Sequence, residues 1–298
     1  MFRTETTGKW ILAGEHAVLR GAPALVFPLE SRKLNLDYTA GAPGESLRLM
    51  CGGSHGDELQ MLFWGVLEKA CELKEVSRSS FHGEVRLTSE IPVGAGLGAS
   101  AALCVAMSRW FAHLNVIQPA EIADFARTLE NLFHGESSGL DIAVAIKGKP
   151  LKYFRGQEPQ VLPERRWTPE LYVSYSGQRG MTLDCVSQVK RLLVENSERG
   201  QQLDAQMGAA AELCEKALQL EAGDGPQALA QAMDLAAESF RDWGLTEGAV
   251  QNHMNQLRTH GALAVKPTGS GKGGYILSLW TAPPPTELRS QLIPCFKS

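Results

Sequence analysis

No stretch of this sequence approaches the roughly 20 consecutive apolar residues that a membrane-crossing helix needs. The N-terminal stretch MFRTETTGKW carries no apolar leader, and the short apolar run behind it stops at Gly14, Glu15 and His16, so no signal peptide is expected. Excess positive charge is missing too. Lys and Arg number 29 against 33 Asp and Glu, a formal net charge of −4, which argues against a nucleic-acid surface; an anionic small molecule would need a local basic site instead. Cysteine occurs six times, at Cys51, Cys71, Cys104, Cys185, Cys214 and Cys295, but never in a C-x-x-C pair or a zinc-like cluster. Reduced thiols in a cytoplasmic protein are expected, several of them acting as small apolar side chains. No internal repeat of fixed period is found. What remains is an ordinary globular composition, 44% hydrophobic and 21% charged over 298 residues, which excludes wholesale disorder and allows one large domain or two lobes.

Hydrophobic spacing sketches the elements. Trp10–Leu12 and Ala24–Phe27 read as strands, with a turn at Gly41-Ala42-Pro43-Gly44. Residues 58–72 have helical spacing. Residues 84–91 alternate, with Val85, Leu87 and Ile91 on one face and Arg86, Thr88 and Glu90 on the other, which predicts a half-buried strand. From Ala101 through Met107 to Trp110 and Phe111 the chain is apolar all round, as in an enclosed helix. Pro119 opens another helix, to about His134, with Ile122, Phe125, Ala126, Leu129 and Phe133 as its apolar stripe. Glu130 falls at the edge of that stripe, where a carboxylate needs a partner. The proline- and charge-rich stretch 155–170 suggests a linker or lobe boundary. A strand at 172–175 then leads into a mainly helical half, clearest at Leu229, Ala232, Leu235, Ala236, Phe240 and Trp243. Strands near 262–265 and 275–279 flank a glycine-rich turn at 269–274.

The segment Glu90-Ile91-Pro92-Val93-Gly94-Ala95-Gly96-Leu97-Gly98-Ala99-Ser100-Ala101 is a strand end, a glycine loop and a helix start. Glycine lets backbone approach a ligand, and exposed N–H groups at a helix start attract phosphate. Ser100 adds a hydroxyl for a phosphate or its metal. The spacing is not the dinucleotide fingerprint, because the last glycine gap is too short. Nor is the second turn a P-loop, because no hydroxyl residue follows Lys272.

Three segments in order resemble the signature motifs of the galactokinase, homoserine kinase, mevalonate kinase and phosphomevalonate kinase (GHMP) superfamily. They are Gly8-Lys9-Trp10-Ile11-Leu12-Ala13-Gly14-Glu15-His16-Ala17-Val18-Leu19, Pro92–Ala102, and Lys266-Pro267-Thr268-Gly269-Ser270-Gly271-Lys272-Gly273-Gly274. Glu130 followed by His134-Gly135-Glu136-Ser137-Ser138-Gly139-Leu140-Asp141 is similar to the mevalonate kinase branch. The chain departs from the pattern at Ala99, Ser137, Ile142 and Lys272. Serine, proline, asparagine and a small residue, respectively, are usual there.

The resemblance implies an α+β, two-lobe GHMP kinase fold. An N-terminal lobe like ribosomal protein S5 (1–165) would carry the phosphate loop, and a ferredoxin-like C-terminal lobe (166–298) would follow, with the active site in the cleft. It implies ATP and Mg²⁺ as cofactors and transfer of phosphate to the 5-hydroxyl of mevalonate as the activity, with a homodimer compatible and no nucleic-acid or membrane partner. By residue type alone Asp141 reads as a turn or cap aspartate and Lys9 as a surface lysine. The motifs make Asp141 the base and Lys9 the cation that keeps it ionised and polarises the attacking oxygen. They assign Pro92, Gly94, Ala95, Gly96, Leu97, Gly98, Ala99, Ser100 and Ala101 to the nucleotide, and Ser100 and Glu130 to magnesium. Lys9, Glu15, His16, Asp141, Thr182 and Gly271 go to the acceptor substrate. His16 is a candidate partner for a carboxylate or hydroxyl, Arg179 for a carboxylate or phosphate, and His134 with Glu136 is read as structural. Another kinase of the superfamily, such as a phosphomevalonate kinase, and a ligand-binding relative that has lost catalysis are the alternatives.

Overall fold

The computed structural model describes residues 1–42, 44–52, 56–134, 137–180 and 182–296, apart from the side chains of 132–134. Pro43 of the expected turn, the Phe133 and His134 side chains, and Glu136 therefore lie outside the described residues. Two compact units emerge, and neither is one run of sequence. The first comprises Met1–Lys9, Arg32–Val93 and Leu97–Gly148; the second comprises Trp10–Ser31, Gly94–Gly96 and Lys149–Ser298. The expected lobe boundary at 165/166 is a single cut, whereas the chain enters and leaves these units repeatedly. The stretch 155–170, expected as a linker, lies wholly within the second unit. It is tied down there by hydrogen bonds from the Arg166 N–H to Leu218 O at 3.1 Å and from the Trp167 indole to Ala217 O at 3.0 Å.

The first unit takes its elements from strands β1 (Phe2–Ala13), β2 (Ala24–Ala40) and β3 (Leu47–Gly52), helix α1 (Gly56–Lys74), strand β4 (Gly83–Ser89), and helices α2 (Ala99–His113), α3 (Ile122–His134) and α4 (Leu140–Lys147). β1 and β2 run well beyond the short apolar stretches that announced them. β4 pairs antiparallel with Leu34–Ala40 of β2 and parallel with β3, which puts Leu87 opposite both Leu36 and Cys51. Val85 and Leu87 are buried while Arg86 and Thr88 are exposed, the two-residue period of a strand with one face on the core. Helix α2 is apolar on every side because it is enclosed on every side. Its Trp110 and Phe111 rings meet Phe63, Phe81 and Phe125, drawing α1 and α3 onto it. The one long charged side chain of α2, Arg109, donates to the Thr4 hydroxyl and to the carbonyls of Glu5 and Ile146, so its charge is not left unsatisfied.

The second unit continues with strands β5 (Leu151–Tyr153), β6 (Gln160–Val161) and β7 (Glu170–Tyr175), helices α5 (Thr182–Glu195), α6 (Ser197–Leu218), α7 (Gly225–Asp242) and α8 (Ala249–Thr259), and strands β8 (Ala264–Thr268), β9 (Tyr275–Trp280) and β10 (Leu292–Pro294). Residues Ala24–Val26 of β2 pair with β5, which pairs with β6. A separate antiparallel sheet has the order β10-β7-β9-β8. Every residue of β8 and β9 is buried, under α7 and α8. The α7 face of Leu229, Ala232, Ala236 and Phe240 is enclosed as its spacing predicts, while Leu235 is only half-buried. All six cysteines carry free thiols. Among the described residues no helix is long and apolar enough to cross a membrane.

The register of β4 can be tested by unfolding in urea. Leu87→Ala should lower stability by about 2–5 kcal/mol, as buried leucines do, whereas Thr88→Ala on the exposed face should change it by less than about 0.5 kcal/mol. Similar losses at both positions would contradict the assignment of faces.

Candidate active site

In the first unit, Lys9 and Asp141 form an ion pair with Nζ to Oδ2 at 3.1 Å. Lys9 is buried, not the surface lysine its residue type suggests: its side chain is 6% exposed. It stands on β1, whose Lys9 N–H also donates to Leu97 O at 2.9 Å. Gly98 makes room for it: a Cβ at Gly98, where φ is 80°, would come within 2.8 Å of Lys9 Cγ. Asp141 lies in the first turn of α4, after Gly139 in the left-handed region, where the helix start favours negative charge.

Glu130 lies deeper than the stripe edge at which it was expected, at 1% exposure. Burial pushes its carboxyl up to about 8; the Asp141 charge adds to the rise, while the Ser137 hydroxyl and the Lys9 ammonium oppose it. Ser137 donates its hydroxyl to Glu130 and accepts the Gly139 N–H at 3.0 Å. The usual proline could do neither. Ile142 is simply buried. Ser100 is half-buried, the second residue of α2. A carboxylate and a hydroxyl are hard oxygen donors of the kind magnesium prefers, and burial together with the Asp141 charge disfavours ionised Glu130, a carboxylate that a bound cation would favour in its charged form. On that observation the residues fit magnesium.

The remaining phosphate-loop residues divide between the units. Pro92 and Leu97–Ala101 belong to the first, and Gly94, Ala95 and Gly96 to the second. Gly94 and Gly96 are exposed. Within the second unit the tip is met by the last glycine motif: a Cβ at Gly274 would lie 2.8 Å from Ala95 O. Arg179 is exposed, and its guanidinium would stand 4.0 Å from a Cβ at Gly94.

The acceptor-side candidates of the second unit have partners that spacing did not foretell. Glu15 is 3% exposed, and its carboxylate meets Lys266 Nζ at 2.5 Å. Lys266 is wholly enclosed on β8; it also donates to Pro267 O at 2.6 Å and stands over the Phe240 ring. A lysine inside an otherwise apolar strand was the signal that could have exposed this pair. His16 was expected to face a carboxylate or hydroxyl, but its Nε2 donates to the Ser270 carbonyl at 2.8 Å. Burial lowers its pKa to about 4, so the ring is neutral near pH 7. The Thr182 hydroxyl, at the start of α5, reaches Ser270 Oγ at 3.4 Å, and Gly271 O accepts the Cys185 thiol at 3.4 Å.

The Glu130 shift has a direct consequence for stability. Its carboxyl ionises near 4.5 in the unfolded chain and near 8 in the folded one, so the unfolded chain releases the proton first and stability falls as pH rises between those values. Glu130→Gln should therefore exceed the wild type by up to about 3 kcal/mol at pH 7 and by little at pH 4.5, measured by urea unfolding without divalent cation. A pH-independent gain would contradict ionisation as the cause.

Residues 61–149 match the GHMP kinases N terminal domain. A mevalonate kinase from Aeropyrum pernix is 28% identical over 290 residues, covering 93% of this chain and 88% of that protein. One from Pyrococcus horikoshii is 29% identical over 294 residues, covering 91% and 86%. Among solved structures, L. major mevalonate kinase in complex with R-mevalonate has a TM-score of 0.75 at 23% identity, covering 98% of this chain and 90% of that one; this likeness shows the α+β GHMP kinase fold. The chain thus carries a GHMP kinases N terminal domain in its first half and is similar to mevalonate kinases along nine-tenths of its length.

Proposed function

We propose that this chain is a mevalonate kinase, which transfers the γ-phosphoryl group of ATP to the 5-hydroxyl of mevalonate. The observation that carries the reading is the Lys9–Asp141 pair, 3.1 Å apart on an enclosed lysine, with the charge of the same aspartate acting on buried Glu130. The residues proposed as base, cation and metal-binding carboxylate thus share one unit. The relatives named mevalonate kinase support the choice of acceptor.

In this reading Asp141 takes the proton of the 5-hydroxyl as its oxygen attacks the γ-phosphorus. The new O–P bond forms while the bond to the β,γ-bridging oxygen breaks, and ADP leaves. Phosphoryl transfer gains most from positioning and charge stabilisation. Lys9 supplies both, orienting the carboxylate and stabilising charge on the attacking oxygen. N–H groups of the loop Pro92–Ala101 hold the phosphates at the start of α2. Ser100 and Glu130 would hold magnesium, which neutralises phosphate charge when bound. His16, Thr182 and Gly271 shape the acceptor side, and Glu15 acts there through Lys266 and not by contact. A cytoplasmic setting, supported by the free thiols, belongs to the same proposal.

ADP release from Mg·ATP should be measured with mevalonate, phosphomevalonate, homoserine and galactose. Selective turnover of mevalonate is expected, and a preference for another acceptor would move the substrate. Asp141→Ala should lower kcat by about 10²–10⁴-fold with nucleotide binding retained; near-normal turnover would remove Asp141 as the base.

A further inference from the structure

Lys272 interrupts a run of small residues, Thr268-Gly269-Ser270-Gly271-Lys272-Gly273-Gly274. Its φ is 52°, in the left-handed region where glycine is at ease and an L side chain is disfavoured. The chain holds that conformation by donating the Lys272 N–H to Leu245 O at 2.8 Å. The side chain is equally directed. The ammonium donates to Gln188 Oε1 at 2.5 Å. The Gln188 amide is oriented by its own NH₂, which donates to Trp243 O at 2.7 Å and Gly244 O at 3.1 Å. Its oxygen is therefore committed to the lysine. A neutral amide aims an ammonium without neutralising it, and among the described residues no carboxylate pairs with this one. A half-buried cation held in place on a disfavoured backbone, with two N–H donors left over, is arranged for an anion that comes from outside the chain.

We infer that the Lys272 ammonium binds the carboxylate of the acceptor substrate, an assignment that rests on the mevalonate reading. The turn that carries it is the one engaged by His16, Thr182 and Cys185 through Ser270 and Gly271. His16, neutral near pH 7, leaves the carboxylate's charge to another group. One ammonium suits the single charge of a carboxylate, whereas a phosphate monoester with nearly two charges would call for more cations. The competing anion is a nucleotide phosphate, because Gly274 of the same turn touches the loop tip at Ala95.

Lys272→Gly separates charge from fold, since glycine suits the backbone there. The variant should melt at or above the wild-type temperature. Its kcat/KM for mevalonate should fall on the order of tenfold to hundredfold, chiefly through KM. The uncharged analogue 3-methylpentane-1,3,5-triol, scored as acceptor or competitive inhibitor, and the KM for ATP should each change by less than about threefold. Lys272→Met, which keeps a side chain in the turn, should behave alike. Equal losses on mevalonate and the triol would reduce Lys272 to a shaping role. A raised KM for ATP with mevalonate unaffected would assign the ammonium to a phosphate. Wild-type protein inactive toward mevalonate would overturn the substrate reading itself, and this assignment with it.

Discussion

Glu130, buried, and Asp141, half-buried, bring two carboxylates into one neighbourhood of the first unit, where the Lys9 ammonium acts on both. Burial and the neighbouring Asp141 charge both disfavour ionised Glu130, and a fold tolerates such a group only if the surrounding structure holds it. Here the hold is extensive. β1 fixes the lysine, the Gly139 turn starts the helix that carries the aspartate, and the apolar stripe of α3 carries the glutamate inward with Phe125, Ala126 and Leu129. The aromatic cluster around Trp110 is the rigid mass on which these elements rest. On the proposed reading, a cation held by Glu130 would favour its ionised form and offset the cost of burying it.

Space is the second constraint. Lys9 reaches Asp141 only because position 98 has no side chain: a methyl group there would collide with the lysine stem 2.8 Å away. The last glycine motif obeys the same rule, since its backbone touches that of Ala95. Lysine at 272 is the exception, a side chain where the backbone favours none, and exceptions of this kind gather where a side chain is needed for its chemistry.

In the second unit the Lys266–Glu15 pair joins the first and third motifs across 251 residues of sequence. Buried ion pairs add little net stability, because desolvation offsets their attraction, but losing either partner leaves an uncompensated charge. Such a pair fixes geometry: with β8 and the end of β1 tied together, the turn that receives His16 has one place to be. On the proposed reading, Glu15 would serve the acceptor side as a positioning residue.

Much of this was legible in the residue order. The alternation of β4, the all-round apolarity of α2, the stripe of α3 and the glycine loop are local properties of the chain, set by side-chain period and backbone freedom over a few residues. The residue types of the candidate site, Lys9, Ser100, Glu130 and Asp141, could be named from motifs alone. The pairings could not, because they join residues distant in sequence. Tertiary structure alone decided that Ser137 would serve Glu130, that Glu15 would be enclosed with Lys266, that His16 would donate to a carbonyl and stay neutral, and that the 155–170 stretch would be bound to α6 instead of linking lobes. Which groups share a low-dielectric interior depends on where the chain returns, and so do their charges. The sequence by itself determined the chemical groups and the local shapes that carry them; packing determined their neighbours, their burial and therefore their protonation.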